Sequence, residues 1–194
     1  MYIPSAFEVK DKSKLVDFIK KNSFGILFSQ ESGGPFATHL PFLMDENAGD
    51  NGVLMSHMAK SNPHWQDLHD KEVLVVFPGS HAYISASWYN ELHTVPTWNY
   101  VAVHVYGKMK IVENKEDLKK MIEKTVNFYE SSMPNPWNPN FDDVFIDGLM
   151  NGVVGIELVI SKMEGQWKLS QNHSDTRQQN LINGLKTNNQ YDSI

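Results

Sequence analysis

Between Phe24 and Val112 the chain offers one short β-type run after another, and a single helical segment, Asn62 to Lys71, interrupts them. Phe24 to Ser29 is apolar and ends in the turn Glu31-Ser32-Gly33-Gly34, so Phe36 to Met44 reads as its hairpin partner. Asp45 to Gly52 is a second polar turn, and Val53 to His57 is the next strand. Glu72 to Phe77 and Ala82 to Ser85 follow. Trp98 to Val112 is the longest candidate, with Val101, Val103 and Val105 alternating against Ala102, His104 and Tyr106. Later, Val153 to Ile160 and Gln166 to Ser170 read as a pair joined near Glu164-Gly165. Closely spaced strands with inserted rather than alternating helices specify a mainly β architecture: an antiparallel barrel with flanking helices. A doubly wound sheet is disfavoured, because both Gly-rich phosphate loops, GxGxxG and GxxxxGK[ST], are absent.

The helices carry their own signals. Leu15, Phe18 and Ile19 mark an amphipathic segment over Asp11 to Asn22. Leu118, Met121, Ile122, Thr125 and Phe128 line one face of Asn114 to Ser131. Phe141 to Met150 and Ser174 to Leu185 are shorter helical segments, and the prolines between Met133 and Asn140 require a loop. Nothing resembling a linker divides the chain, so residues 1–186 form one domain and 187–194 a polar tail.

Charge and residue usage exclude several functions. Cysteine is absent, which rules out disulfides and thiolate metal sites. The start, Met1-Tyr2-Ile3-Pro4-Ser5, lacks the basic and apolar regions of a signal peptide, and no apolar stretch approaches membrane-spanning length. The expected location is the cytoplasm. The net charge is −6 and Arg177 is the only arginine, so the basic excess that drives phosphate-backbone binding is missing. Lysines 115, 119, 120 and 124 form the densest basic group, diluted by Glu116 and Glu123, and no helix-turn-helix pair accompanies them. The chain alone is therefore expected to bind generic duplex DNA poorly. His64 and His69 are five apart and do not share a helix face, and no metal site is expected.

Three segments could carry chemistry. In His57-Met58-Ala59-Lys60-Ser61-Asn62-Pro63-His64-Trp65 a strand ends, a lysine follows and a capped helix begins. Free N–H groups at a helix start, with Lys60 beside them, suit a phosphate; an ordinary capped helix beside a surface lysine would look the same. Tyr83-Ile84-Ser85-Ala86-Ser87-Trp88-Tyr89 and Val95-Pro96-Thr97-Trp98-Asn99-Tyr100 mix aromatic faces with hydroxyls and an amide. A flat heteroaromatic ligand needs that mixture, and so does an aromatic core or an oligomer interface. Polar residues also crowd the strand end Lys168-Leu169-Ser170-Gln171-Asn172-His173 ahead of Arg177, where Ser174 would cap the next helix.

These segments, together with Ala37-Thr38-His39-Leu40-Pro41, occur in the same order in the PaiB-type family of FMN-binding negative transcriptional regulators, and the chain resembles that family over roughly residues 1–185. The resemblance implies an FMN-binding split β-barrel like that of pyridoxamine-phosphate oxidases, working as a homodimer with FMN at the interface. It also implies a repressor of sporulation and protease synthesis. On this reading Lys60, His57 and Asn62 hold the phosphate, and Thr38, Trp88, Thr97, Trp98 and Asn99 contact the ring or ribityl chain. His39 and Gln171 complete the cofactor set. Related oxidases hold the phosphate with several basic residues, arginines among them. The lone and distant Arg177 departs from that pattern and implies modest FMN affinity, or a site empty on purification. The alternatives on the same fold are an FMN-dependent oxidoreductase, whose hydride chemistry the flavin itself would supply, and a haem-binding or haem-degrading protein.

Overall fold

The structure, a computed structural model, describes residues 1–31 and 33–188. Ser32 of the first hairpin turn and residues 189–194 of the expected tail lie outside the described residues. The strands are β1 (Glu8–Val9), β2 (Phe24–Glu31), β3 (Gly34–Pro41), β4 (Leu43–Asp45), β5 (Val53–Ala59), β6 (Glu72–Ile84), β7 (Thr97–Val112) and β8 (Val153–Lys168). The helices are α1 (Lys12–Lys21), α2 (Lys115–Glu130), α3 (Val144–Met150) and α4 (Asp175–Thr187). Hydrogen-bonded neighbours run β3-β2-β6-β7-β8-β5-β4, all antiparallel, with β1 added along β8.

The sheet rolls until its two ends meet. The Ser56 hydroxyl on β5 donates to the Pro41 carbonyl at the end of β3, 2.6 Å away. No ladder joins β3 to β5, so the barrel is split along that line. Alternate residues of each strand point inward. Leu27, Leu54, Val75, Phe77, Val103, Val105, Met109, Ile156 and Leu158 fill the interior and are essentially inaccessible to solvent. Each such side chain contributes about 1.5–3 kcal/mol of burial free energy. Helix α1 presses Leu15, Val16 and Ile19 inward. The Asp11 carboxylate starts it by accepting from Ser13 N–H at 3.0 Å, and Lys20 and Lys21 sit at its negative end. Helix α2 packs Leu118 and Met121 over β5 and β8, with Asn114 accepting from the N–H groups of Glu116 and Asp117. Among the described residues no helix is long and apolar enough to cross a membrane.

Four sequence expectations change. The run Phe36–Met44 is not one strand: it breaks at Phe42, so that β3 pairs with β2 while Leu43 and Met44 belong to β4, which pairs with β5. The runs at Glu72–Phe77 and Ala82–Ser85 are one strand, β6, with an irregularity between Pro78 and His81. Val153–Ile160 and Gln166–Ser170 are not a hairpin. They belong to the sixteen-residue β8, which pairs with β7 along one side. Glu164-Gly165 resembles a turn, yet Gly165 is needed for a close approach: a Cβ there would lie 2.2 Å from Leu15 Cδ2. The segment after Asn62 forms only a five-residue 3-10 turn, Pro63–Asp67, and Asp70 then takes a left-handed φ of 58°.

Glu164 itself lies on the outer face of β8. Its carboxylate takes Lys162 Nζ at 2.5 Å and accepts from the Tyr106 hydroxyl at 3.2 Å. The Lys162 hydrogen bond first, and the Met1 amino group next, hold its pKa at about 2 against an ordinary 4.5. A depressed folded pKa stabilises the native state fully above the unfolded value and is lost as pH falls through the folded one. Between about pH 4.5 and about pH 2 the urea midpoint should therefore drop, and Glu164→Gln should flatten that limb. Lys162 is mostly exposed, so screening keeps the effect small. Identical acid limbs for both chains would remove Glu164 from the account.

Candidate functional site

The residues expected to bind a cofactor separate into two groups. The first sits at the split. Asn62 uses its Oδ1 to cap His64 N–H at 3.1 Å, and its Nδ2 donates to Thr38 Oγ1 at 3.2 Å. The His64 ring is fully buried between two hydroxyls, with Nδ1 2.7 Å from Thr38 Oγ1 and Nε2 2.8 Å from Ser29 Oγ. A neutral imidazole donates at one nitrogen and accepts at the other, and either tautomer is satisfied because each hydroxyl can do both. Phe36 covers the ring at 4.6 Å between centroids. Sequence reasoning treated His64 only as a possible metal ligand and missed this role.

Lys60 stands beside that network, between β5 and the 3-10 turn. Its backbone is fixed on both sides: its N–H donates to Gly152 O at 2.9 Å, and its carbonyl accepts from Trp65 Nε1 at 3.0 Å. Its side chain is exposed, and no carboxylate pairs with it among the described residues. The helix start contributes less than the sequence implied. A single 3-10 turn has little dipole, and Asn62 already occupies its first free N–H.

His57 and His39 do not join this network. Leu54, Ser56 and Met58 point inward from β5, so His57 points the other way, beside Gly155 and the Leu118–Met121 face of α2. Burial pushes its imidazole below the ordinary histidine range, so at neutral pH it offers no charge to a phosphate. Its Nδ1 is buried and has no hydrogen-bond partner among the described residues. His39 is exposed on the outer face of β3 and stacks on Phe24 at 6.2 Å.

The second group gathers where β7 begins and β8 ends. Thr97 and Asn99 line a cavity of about 350 Å³ together with Lys168, Ser170, His173 and Arg177. Lys168 Nζ donates to Thr97 Oγ1 at 2.6 Å, and the Ser170 hydroxyl donates to Asn99 Oδ1 at 3.0 Å. Trp98 lies between Thr97 and Asn99 in sequence and so faces the outside, 49% exposed, with Tyr83 and His81 each 5.9 Å from its ring. Trp88 is half-buried against Ile84, Tyr89 and Leu181. Gln171 ties the chain to itself, donating to Ala6 and Trp167 carbonyls and accepting from Leu169 N–H.

The ladder register separates the two groups. Ala59, next to Lys60, pairs with Val153 at the start of β8, whereas Tyr100, near Trp98, pairs with Lys168 at its end. Fifteen residues of strand (168 − 153) lie between them. At about 3.3 Å per residue this is roughly 50 Å of strand path, so the two groups lie toward opposite ends of β8.

Comparison with known proteins adds the family. Residues 1–162 match the family described as "Putative FMN-binding domain". The Bacillus subtilis protein named protease synthase and sporulation protein PAI 2 is 38% identical over 192 residues, covering 96% of this chain and 89% of that one. An uncharacterised protein of Emericella nidulans is 29% identical over 227 residues, covering 96% and 90%. Two solved structures share the barrel at low identity. The flavocytochrome Anf3 of Azotobacter vinelandii has a TM-score of 0.64 at 10% identity, over 83% of this chain and 69% of that one. The FAD- and haem-binding protein of Mycobacterium smegmatis has a TM-score of 0.64 at 11% identity, over 91% and 80%. The likeness to those two is one of fold, a split barrel. The match over residues 1–162 and the Bacillus relative together place this chain in the FMN-binding domain family, among its PaiB-type members.

Proposed function

We propose that the chain binds FMN across the two-fold interface of a homodimer, and that flavin binding serves a regulatory role like the one the Bacillus relative's name implies. The observation that carries this reading is the separation of Lys60 from Trp98. Both are accessible, and both are of the kind a flavin mononucleotide needs: an ammonium for the phosphate and a broad aromatic face for the ring. Within one chain they lie toward opposite ends of β8. A two-fold axis sets Lys60 of one copy against Trp98 of the other, and closed two-fold dimers are the commonest oligomers.

The residues present fit FMN on this arrangement. Lys60 forms no ion pair among the described residues, although Glu113 lines the same small pocket. Asn62 and Thr38 stand beside it with polar groups already held in place. The exposed Phe24, Tyr83 and Trp98 supply apolar surface for a dimer to bury. FMN, when bound, would supply redox or light-absorbing chemistry; the protein's part is to hold and orient it. Regulation then runs through a partner protein or through the flavin, since two chains at −6 each have no long-range attraction for DNA.

Mixed dimers test the arrangement. Lys60→Ala and Trp98→Ala should each weaken FMN binding as homodimers. After subunit exchange, each heterodimer carries one site with both residues intact, so tight binding should return at one FMN per heterodimer. A mixture no better than its parents, or a 22.2 kDa monomer on sedimentation at micromolar concentration, would overturn the shared site.

A further inference from the structure

The cavity at the ends of β7 and β8 has a charge that nothing in the described structure balances. Lys168 and Arg177 both line it, and no acidic residue does. Arg177 is committed elsewhere. Its Nε donates to Glu91 at 2.9 Å, its Nη2 donates to Thr94 Oγ1 at 3.2 Å, and its guanidinium lies 4.7 Å over the Tyr89 ring. Its Nη1 donates to His173 Nδ1 at 2.8 Å. Because arginine only donates, that contact makes Nδ1 the acceptor. Glu91 therefore neutralises Arg177, and the Arg177 clamp fixes the 90–96 loop to α4.

Lys168 has no such partner. Its ammonium is half-buried, donates to the Thr97 hydroxyl, and forms no ion pair among the described residues. Its other two protons meet no acceptor among the described residues. The floor beneath is held by a strained residue: Ser170 has a left-handed φ of 63°, an uncommon state for a side chain with a Cβ, and its hydroxyl is tied to buried Asn99. The other walls combine apolar Phe7 and Val95 with polar His93, Thr94 and Asn172, beside the stacked pair Tyr89–His173, whose rings lie 5.5 Å apart at 11°.

We propose that this cavity binds a small organic anion with a flat apolar body, of the aromatic carboxylate class, with the carboxylate on Lys168 and the ring among Phe7, Val95 and the Tyr89–His173 stack. All of the residues that line the site belong to one chain. Its volume of about 350 Å³ falls at the small end of ligand pockets and has room for a one-ring ligand.

The test titrates the flavin-free full chain with benzoate and with benzamide, its neutral counterpart of equal shape, at low ionic strength by calorimetry. Benzoate should bind at least tenfold more tightly. Lys168→Gln should bring benzoate down to benzamide, and Lys168→Arg should keep the preference. In the unmodified chain, benzoate should shift the backbone amide resonances of Thr94, Ser170 and His173, which reads the site without any variant. Equal binding of the two probes, no benzoate binding at millimolar concentration, a preference that survives Lys168→Gln, or resonance shifts elsewhere would each overturn the proposal. FMN titration of the same sample reports the interface site separately, so failure of either site is seen alone.

Discussion

Lys60→Ala is expected to weaken FMN binding at least tenfold and to leave riboflavin, which lacks the phosphate, unchanged. A charge-assisted hydrogen bond contributes about 1.5–3 kcal/mol, and each 1.4 kcal/mol is a factor of ten. A long helix start would have shared that load, but the structure removes it: the segment is a five-residue 3-10 turn whose leading N–H is already bonded to Asn62. Arg177 is already engaged by Glu91, Thr94 and His173. His57 is neutral and faces α2. Discrimination for the phosphate therefore rests on Lys60 to an unusual degree. Fluorescence titration of both ligands measures it directly. Equal losses for FMN and riboflavin would put Lys60 against the ring instead of the phosphate and sink the assignment.

The strand pattern was legible because period two survives in sequence wherever one face is buried. The Val101, Val103, Val105 set is inward in β7, as its alternation against Ala102, His104 and Tyr106 required. The same alternation decides the site, and there sequence proximity misled. Thr97, Trp98 and Asn99 are consecutive and read as one contact surface, but a strand sends neighbours to opposite faces, so Trp98 is outside while Thr97 and Asn99 line the cavity. Continuity of β8 was hidden by Glu164-Gly165, whose composition is that of a turn. The glycine answers to Leu15 packed above it, and the glutamate to Lys162 and Tyr106 alongside. Leu15 and Tyr106 are both far in sequence from the segment they explain. The cavity residues Lys168, Ser170 and His173 were visible as a polar cluster, but their convergence with Thr97 depends on the β7–β8 register, which no local pattern encodes.

His64→Ala should cost about 3 kcal/mol of stability and also weaken FMN, because one buried ring supports both the fold and the site. Removing a large buried ring leaves a cavity, and changes of that size cost several kcal/mol when the surroundings relax only in part. The hydroxyls of Ser29 and Thr38 would lose their shared partner, each at a penalty of about 1–3 kcal/mol unless water enters to replace it. Such water is the reason to expect the lower part of the combined range. The functional loss follows from the geometry of Thr38. Its Oγ1 is fixed by the imidazole on one side and by Asn62 Nδ2 on the other, and Asn62 in turn caps the His64 backbone. Without the ring, Thr38 and Asn62 are free to rotate, and the turn that follows Lys60 loses its anchor to β2 and β3. His64→Phe separates the two contributions: it keeps the packing against Phe36 while leaving the hydroxyls unpaired, so it should recover part of the stability and little of the FMN affinity. Urea denaturation and FMN titration of both variants give the two readings. A stability loss under about 1 kcal/mol for His64→Ala, or wild-type FMN affinity in a folded variant, would show that the imidazole does not organise this site.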